Sequence, residues 1–300
     1  TDGTELMSLS PLHEPDIIPA FIRYGQELRD HTIAGAREFL MVAGSLSCSS
    51  SFAGNTRRYH GLLVRDGVLL LSGLDDEVNG IRLSPGWWGD SFAGEGIRYT
   101  TGATIYPVRQ EFALPGARII RTLLLDCSLT VRYEVFGTAV LRIRPVMTDR
   151  KVSTLSHDPV ADIREEGEDL ILNGCIVSSD LAFTEDEQWY LNAYYPCEQI
   201  RGYNAWEDLI SPGMFFGTVT DGTVEIRFTP GEGGSPSGCC QPATNILDYA
   251  SRLCLTEGQI RAGYHWFTES WGRDTFISLP GLLLEMGRFR EAEDVFRWHL

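Results

Sequence analysis

The stretch Tyr264-His265-Trp266-Phe267-Thr268-Glu269-Ser270-Trp271-Gly272-Arg273-Asp274 brings together four Tyr, Trp and Phe rings, two carboxylates and an arginine. Sugars present flat apolar faces edged with hydroxyls, so a sugar site combines aromatic platforms with carboxylates and arginines that hold those hydroxyls. A glycosidase also needs one carboxylic acid to protonate the leaving oxygen and a second carboxylate on the other face of the ring. Asp274 and Glu269 are the candidates for the acid. Each residue also has a plainer use. An Asp directly before an apolar helical run is most often an N-cap, Arg273 can simply pair with a neighbouring carboxylate, and the tryptophans can be core. The cap and acid roles of Asp274 exclude one another, because backbone N–H donors favour the charged carboxylate whereas a general acid must hold its proton.

A second cluster, Asn55-Thr56-Arg57-Arg58-Tyr59-His60-Gly61, immediately precedes a hairpin and falls on a loop at one end of a sheet, a common place for binding residues. A solvated basic turn explains it equally well, and His60 has no nearby Cys or Ser to suggest a nucleophile-base pair. A third cluster again mixes aromatics with charge: Trp189-Tyr190, Tyr194-Tyr195-Pro196, Arg201-Gly202-Tyr203 and Trp206-Glu207-Asp208. A packed interface accounts for it as well as a binding site does.

The elements that must position these residues change character along the chain. From about Ile17 to Phe228 short strands alternate with turns. In Leu62–Arg65, Asp66-Gly67, Val68–Leu71, the Asp-Gly pair supplies the positive φ angles of a tight hairpin. Further strands are expected at Ile119–Leu125, Leu129–Val135, Ala139–Val146, Leu170–Val177 and, after a turn at Asp221-Gly222, Val224–Phe228. Many strands without helical patterns between them imply packed antiparallel sheets, hence a sandwich over residues 15–228. Residues 229–243 are dense in Gly, Pro and Ser and read as a linker. Beyond it, Ile246, Leu247, Ala250, Leu253 and Cys254 recur at helical spacing. Phe276–Met286 is apolar nearly all round and predicts a buried helix ended by Gly287, and Phe289, Ala292, Val295, Phe296 and Leu300 form the stripe of a second helix.

Composition narrows the partners. With 41 acidic against 25 basic residues the formal net charge is -16, which argues against nucleic acid and anionic membranes and suits a neutral or cationic ligand, or merely a soluble surface. Seven irregularly spaced cysteines argue against a disulfide framework, and Cys239-Cys240 lacks the second pair of a zinc site, so no metal and no cofactor is expected. Reduced thiols, no Asn-X-Ser/Thr acceptor and no apolar run near the roughly 20 residues that span a bilayer predict a cytoplasmic protein. The chain starts at Thr1 and stops at Leu300 within a helical pattern, so it reads as a piece of a longer protein.

Three segments, Asn55–Val64, Trp189–Gly213 and Ala262–Ala292, with Thr-Arg-Arg-Tyr-His-Gly and Trp-Gly-Arg-Asp-Thr as their most specific motifs, resemble glycogen debranching enzymes of the archaeal and bacterial amylo-α-1,6-glucosidase type. The resemblance implies a β-sandwich (super-sandwich) domain followed by the first helices of an (α/α)6 barrel at residues 244–300. It implies inverting hydrolysis of the α-1,6-linked glucose left at a branch point of glycogen or a branched α-glucan. Carried onto this sequence, it makes Asp274 the general acid, with Arg273, Trp271 and Trp266 shaping the glucose subsite and Glu269 and Tyr264 beside them. It brings the loop carrying Arg57, Tyr59 and His60 towards the barrel mouth. The family's general base, a Glu, is expected beyond Leu300. Ala43–Cys48 departs from the glycine-richer pattern of the family. Three rivals remain: a non-catalytic carbohydrate-binding β module, a glucoamylase-like hydrolase, and a disaccharide phosphorylase that replaces the base with a phosphate site.

Overall fold

The computed structural model describes residues 38–89, 91–105, 107–167, 169–231, 251, 253–256, 258–263 and 270–299. The first 37 residues, most of the 229–243 linker and residues 246–250 of the helix expected from Ile246 to Cys254 lie outside them. The described chain is β-rich: most of its strands join in one large antiparallel sheet, and Leu255–Thr256 and Gln259–Ile260 pair as a separate two-stranded one. Two long strands organise it, Leu129–Lys151 and Trp206–Pro230, which pair with each other. Each changes its second partner halfway. Leu129–Lys151 pairs first with Ala117–Leu125 and then with Val68–Val78. Trp206–Pro230 pairs first with Ala182–Tyr194 and then with Cys175–Ser179.

The register between the two long strands shifts between Val135 and Thr138 and again between Ile143 and Met147. Such bulges add twist and bend the strand. The halves of the sheet therefore share one apolar core: Phe39, Leu63, Leu71 and Val78 from one half meet Phe112, Ile119, Val131, Ile226 and Phe228 from the other. At its centre Tyr133, fully buried, donates its hydroxyl proton to Asp76 at 2.9 Å, and Arg121 holds the same carboxylate oxygen at 2.7 Å.

The Asp66-Gly67 hairpin forms as expected, with φ of 49° and 77° at its two turn residues. Several expected strand boundaries need correction: Leu129–Val135 and Ala139–Val146 are parts of the one strand Leu129–Lys151. Leu170–Val177 is not one strand: Asn173-Gly174, at φ 45° and 74°, turns Asp169–Leu172 back into Cys175–Ser179. Asp221-Gly222 is not a hairpin turn but lies at a bulge inside the continuous strand Trp206–Pro230, where the Asp221 carboxylate accepts the Gly137 N–H at 2.8 Å. Thr229 and Pro230, expected in the linker, finish that strand.

In the C-terminal segment a helix runs over Gly272–Leu279 and continues as a wider turn over Pro280–Leu284, and a second helix covers Phe289–Trp298. Pro280 has no N–H to give, and the Glu285 N–H reaches back five residues to the Pro280 carbonyl at 3.0 Å. Gly287, at φ 70°, ends the first helix as expected. Leu279, Leu283, Ala292, Val295 and Ile260 form a small core of their own. The expected burial of the first helix is only partial: Ile277 is 74% exposed, and Phe276 and Leu284 are exposed with it. Among the described residues no helix is long and apolar enough to cross a membrane.

Gly54 closes the turn after Leu46–Ser51 at φ 98°, and a Cβ there would lie 2.6 Å from the Pro85 carbonyl oxygen. Because the obstacle is backbone, Gly54→Ala is expected to lower stability by about 1–3 kcal/mol. Urea unfolding measures this; an unchanged midpoint contradicts the packing described.

Candidate functional site

Two of the three clusters singled out in the sequence meet at one end of the sheet. The loop Asn55–His60 leads into the strand Gly61–Arg65, and the short helix Pro196–Ile200 lies against it. The Cys197 N–H donates to the Thr56 carbonyl at 3.0 Å, and Arg58 Nε stands 3.9 Å from the fully buried Glu198 carboxylate. The guanidiniums of Arg58 and Arg201 both lie over the Tyr203 ring, at 5.2 and 5.3 Å. Such cation–π contacts contribute about 0.5–1 kcal/mol each near a surface.

His60 is buried at 1% exposure, and both ring nitrogens are engaged. Nδ1 accepts the Thr56 N–H at 3.1 Å, and Nε2 lies 3.5 Å from Glu38. Its place is inside the loop, bracing it. Burial by itself would raise the Glu38 pKa, but the His60 hydrogen bond and the Arg57 charge outweigh it and hold the carboxyl below its usual value. Tyr59 goes the other way: burial, reinforced by the Glu38 charge, pushes its phenol up to about 12, so it stays a neutral donor. Arg57 Nε and Nη1 and Glu198 Oε1 are buried without a hydrogen-bond partner among the described residues. Each such group costs about 1–3 kcal/mol.

A buried ion pair holds the loop and the helix together. Arg150 donates Nε to Glu207 Oε2 at 2.5 Å and Nη2 to Oε1 at 2.6 Å, with side chains 4% and 0% exposed. The remaining donors of the guanidinium reach the Arg58 carbonyl at 2.8 Å and the Lys151 carbonyl at 3.1 Å. Glu207 in turn accepts the Tyr195 hydroxyl and the Ser156 N–H. Burial, then the Glu207 charge, raises the Tyr195 phenol, which keeps its proton for that bond. Nothing local marks Arg150 in the sequence: its partner stands 57 positions away.

The third candidate region begins the helix Gly272–Leu279. Trp271 is its N-cap, with φ −114° and ψ 126°, and among the described residues no side chain caps the helix. Asp274 is therefore the third helical residue, which removes the capping role weighed for it. Its side chain is 33% exposed and lies 3.5 Å from Nη2 of the exposed Arg273. An ion pair this open to water contributes little. Trp271 is 54% exposed. Behind Asp274, Thr275 is buried and donates to the Ile260 carbonyl at 3.1 Å, and its hydroxyl also meets His299 Nε2 at 3.1 Å. These bonds fix the helix start so that the Trp271, Arg273 and Asp274 side chains remain turned outward. Tyr264, Trp266 and Glu269 lie outside the described residues, as do Cys239 and Cys240.

The Arg150–Glu207 pair generates a direct expectation. Breaking a buried pair leaves one charge without its counterpart and typically costs about 3–5 kcal/mol. Glu207→Gln keeps the shape and one acceptor, so it is expected to lose about 2–4 kcal/mol by urea unfolding. An unchanged unfolding midpoint sets aside the structural role given to the pair.

Compared with known families, residues 37–225 match the family model described as glycogen debranching enzyme N terminal, and residues 246–300 match the one described as amylo-alpha-1,6-glucosidase. No curated protein matches the chain. The two matches follow one another in the order of the sheet and the helical segment, the first alone spans well over half of the sequence, and the chain belongs to the glycogen debranching enzyme family.

Proposed function

We propose that this chain serves the hydrolysis of α-1,6-linked glucose at branch points of glycogen or limit dextrin, by a single inverting displacement without cofactor. Asp274 is the proton donor to the glycosidic oxygen. The observation that carries this is the helix start: with the cap placed at Trp271, the Asp274 carboxyl makes no backbone hydrogen bond among the described residues, and it is partly open to solvent and beside an arginine and an exposed tryptophan. Inversion needs a second carboxylate acting as base on a water across the ring. We assign that role to a Glu outside these 300 residues.

In this scheme the helices after residue 244 begin an (α/α)6 barrel that follows a β-sandwich, with residues 229–243 between them. Arg273 and Trp271 border the glucose subsite together with Trp266, Glu269 and Tyr264. Arg57 and Tyr59 approach the substrate from the loop, and His60 is the residue that positions them. The protein works in the cytoplasm on a neutral polysaccharide, which suits its acidic surface.

In the full-length protein, Asp274→Asn keeps the shape and removes the proton. Hydrolysis of α-1,6 stubs is expected to fall about 10²- to 10⁴-fold with unchanged thermal stability. Glucosyl fluoride, whose leaving group needs no acid, is expected to be largely spared. Unchanged turnover on both substrates means that the acid is another residue, with Glu269 the next to replace.

A further inference from the structure

A cavity of about 100 Å³ opens into the β-rich region, between the turn at Gly54-Asn55, the segment Ser84–Trp88 and the end of the strand Ala182–Tyr194. A single water needs roughly 10–15 Å³ on the same measure, so there is room for a small organic molecule. Aromatic rings form much of its wall. Trp87 stands edge-on to Tyr194 at 6.1 Å, and Tyr194 is itself stacked on Trp206 at 4.3 Å.

The polar side of the lining is built, and the charges of its two arginines are matched: Arg109 Nη2 lies 2.8 Å from the Glu111 carboxylate. Arg121 is fixed by Asp76 at 2.7 Å, by Ser84 at 2.6 Å and by the side-chain oxygen of Gln110, so its charge is already matched. Asn55 is tied to Ser50 at 2.6 Å and to the Ser72 carbonyl at 2.9 Å. Two donors are left over. Among the described residues the buried Trp87 Nε1 has no hydrogen-bond partner and the Gln110 amide nitrogen makes no hydrogen bond; both side chains line the cavity, and both residues are 6% exposed. Leftover donors in a wall without net charge ask for a neutral ligand that supplies acceptors. The aromatic wall asks that the same ligand have an apolar face. A hydrocarbon fails the first demand and an anion meets no unmatched cation. A pyranose ring meets both, with hydroxyl and ring oxygens on its edge and C–H groups on its face.

We infer that this cavity is a binding site for one neutral hexose unit, distinct from Asp274 and its neighbours. Trp87 Nε1 and the Gln110 amide donate to sugar oxygens, and the rings of Trp87 and Tyr194 cover an apolar face. The choice of glucose as that hexose rests on the glucan function proposed above; the pocket itself does not. Such a site would keep a chain end or released glucose on the β-rich region while the catalytic carboxylate acts elsewhere.

Isothermal titration of the 300-residue chain with glucose and with maltose tests this. Trp87→Phe keeps a ring and removes the N–H, and Gln110→Glu keeps the oxygen that Arg121 holds and removes the amide donor. Each is expected to weaken sugar binding about three- to tenfold, the loss of one hydrogen bond. Glu293→Gln, on the exposed face of the helix Phe289–Trp298, is expected to bind sugar as the unaltered chain does. Affinity unchanged in both cavity variants overturns the inference, as does the absence of binding at millimolar sugar. Uptake of benzene with none of glucose overturns it as well, by marking a hydrocarbon cavity. If the two variants lose sugar while Asp274→Asn hydrolyses branch stubs at the full rate, the cavity site stands and the catalytic assignment fails.

Discussion

The bond between Arg150 and Glu207 is the constraint on which the rest of this end of the molecule depends. The two residues lie on the long strands Leu129–Lys151 and Trp206–Pro230, and continuing the Met147↔Ile210 pairing by three positions on each strand sets them opposite one another. Two charges taken out of water are expensive, and their attraction repays the cost only when the other donors and acceptors are filled as well. Here they are, by the Arg58 and Lys151 carbonyls, the Tyr195 hydroxyl and the Ser156 amide. Filling them draws in the two segments that carry those groups. The ion pair thus fixes the loop Asn55–His60 through Arg58 and the helix Pro196–Ile200 through Tyr195, whose carbonyl receives the Glu198 N–H at 3.0 Å.

The same dependence explains what could be read from the sequence and what could not. Asp66-Gly67 announced its hairpin because a two-residue turn at positive φ is a local event between two apolar runs. Asp221-Gly222 carries the same signal, yet there the chain runs straight on, since Leu129–Lys151 lies alongside both halves of the strand and turns the kink into a bulge. Asn173-Gly174 is hidden inside a single apolar run, although the left-handed angles that both residues adopt are those of a tight turn. In each case the dipeptide specifies the backbone angles, and the neighbouring strand decides what they become.

The candidate site divides in the same way. That the loop and the third cluster matter was legible from their aromatic and charged residues, but their meeting was not, because Arg150 looks like any other residue of a strand. For Asp274 residue type was ambiguous, and the backbone angles of Trp271 resolved the ambiguity by starting the helix three residues earlier than a capping Asp would. The apolar helix that follows was expected to be buried. Its Phe276, Ile277 and Leu284 side chains are exposed, because Ile260, Ala292 and Val295 cover only the opposite side, where Leu279 and Leu283 point. Helical periodicity marks which residues are apolar; it does not say how many faces find a partner.

Amide hydrogen exchange tests the central claim most directly, since it reads the opening of each segment separately. If the Arg150–Glu207 pair couples the loop to the helix, Arg150→Met must lower the protection of the His60 amide and of the Cys197 and Glu198 amides together, while amides of the Leu279–Val295 core keep theirs. Loss confined to the strand around residue 150, with the loop and the helix as protected as before, would contradict it.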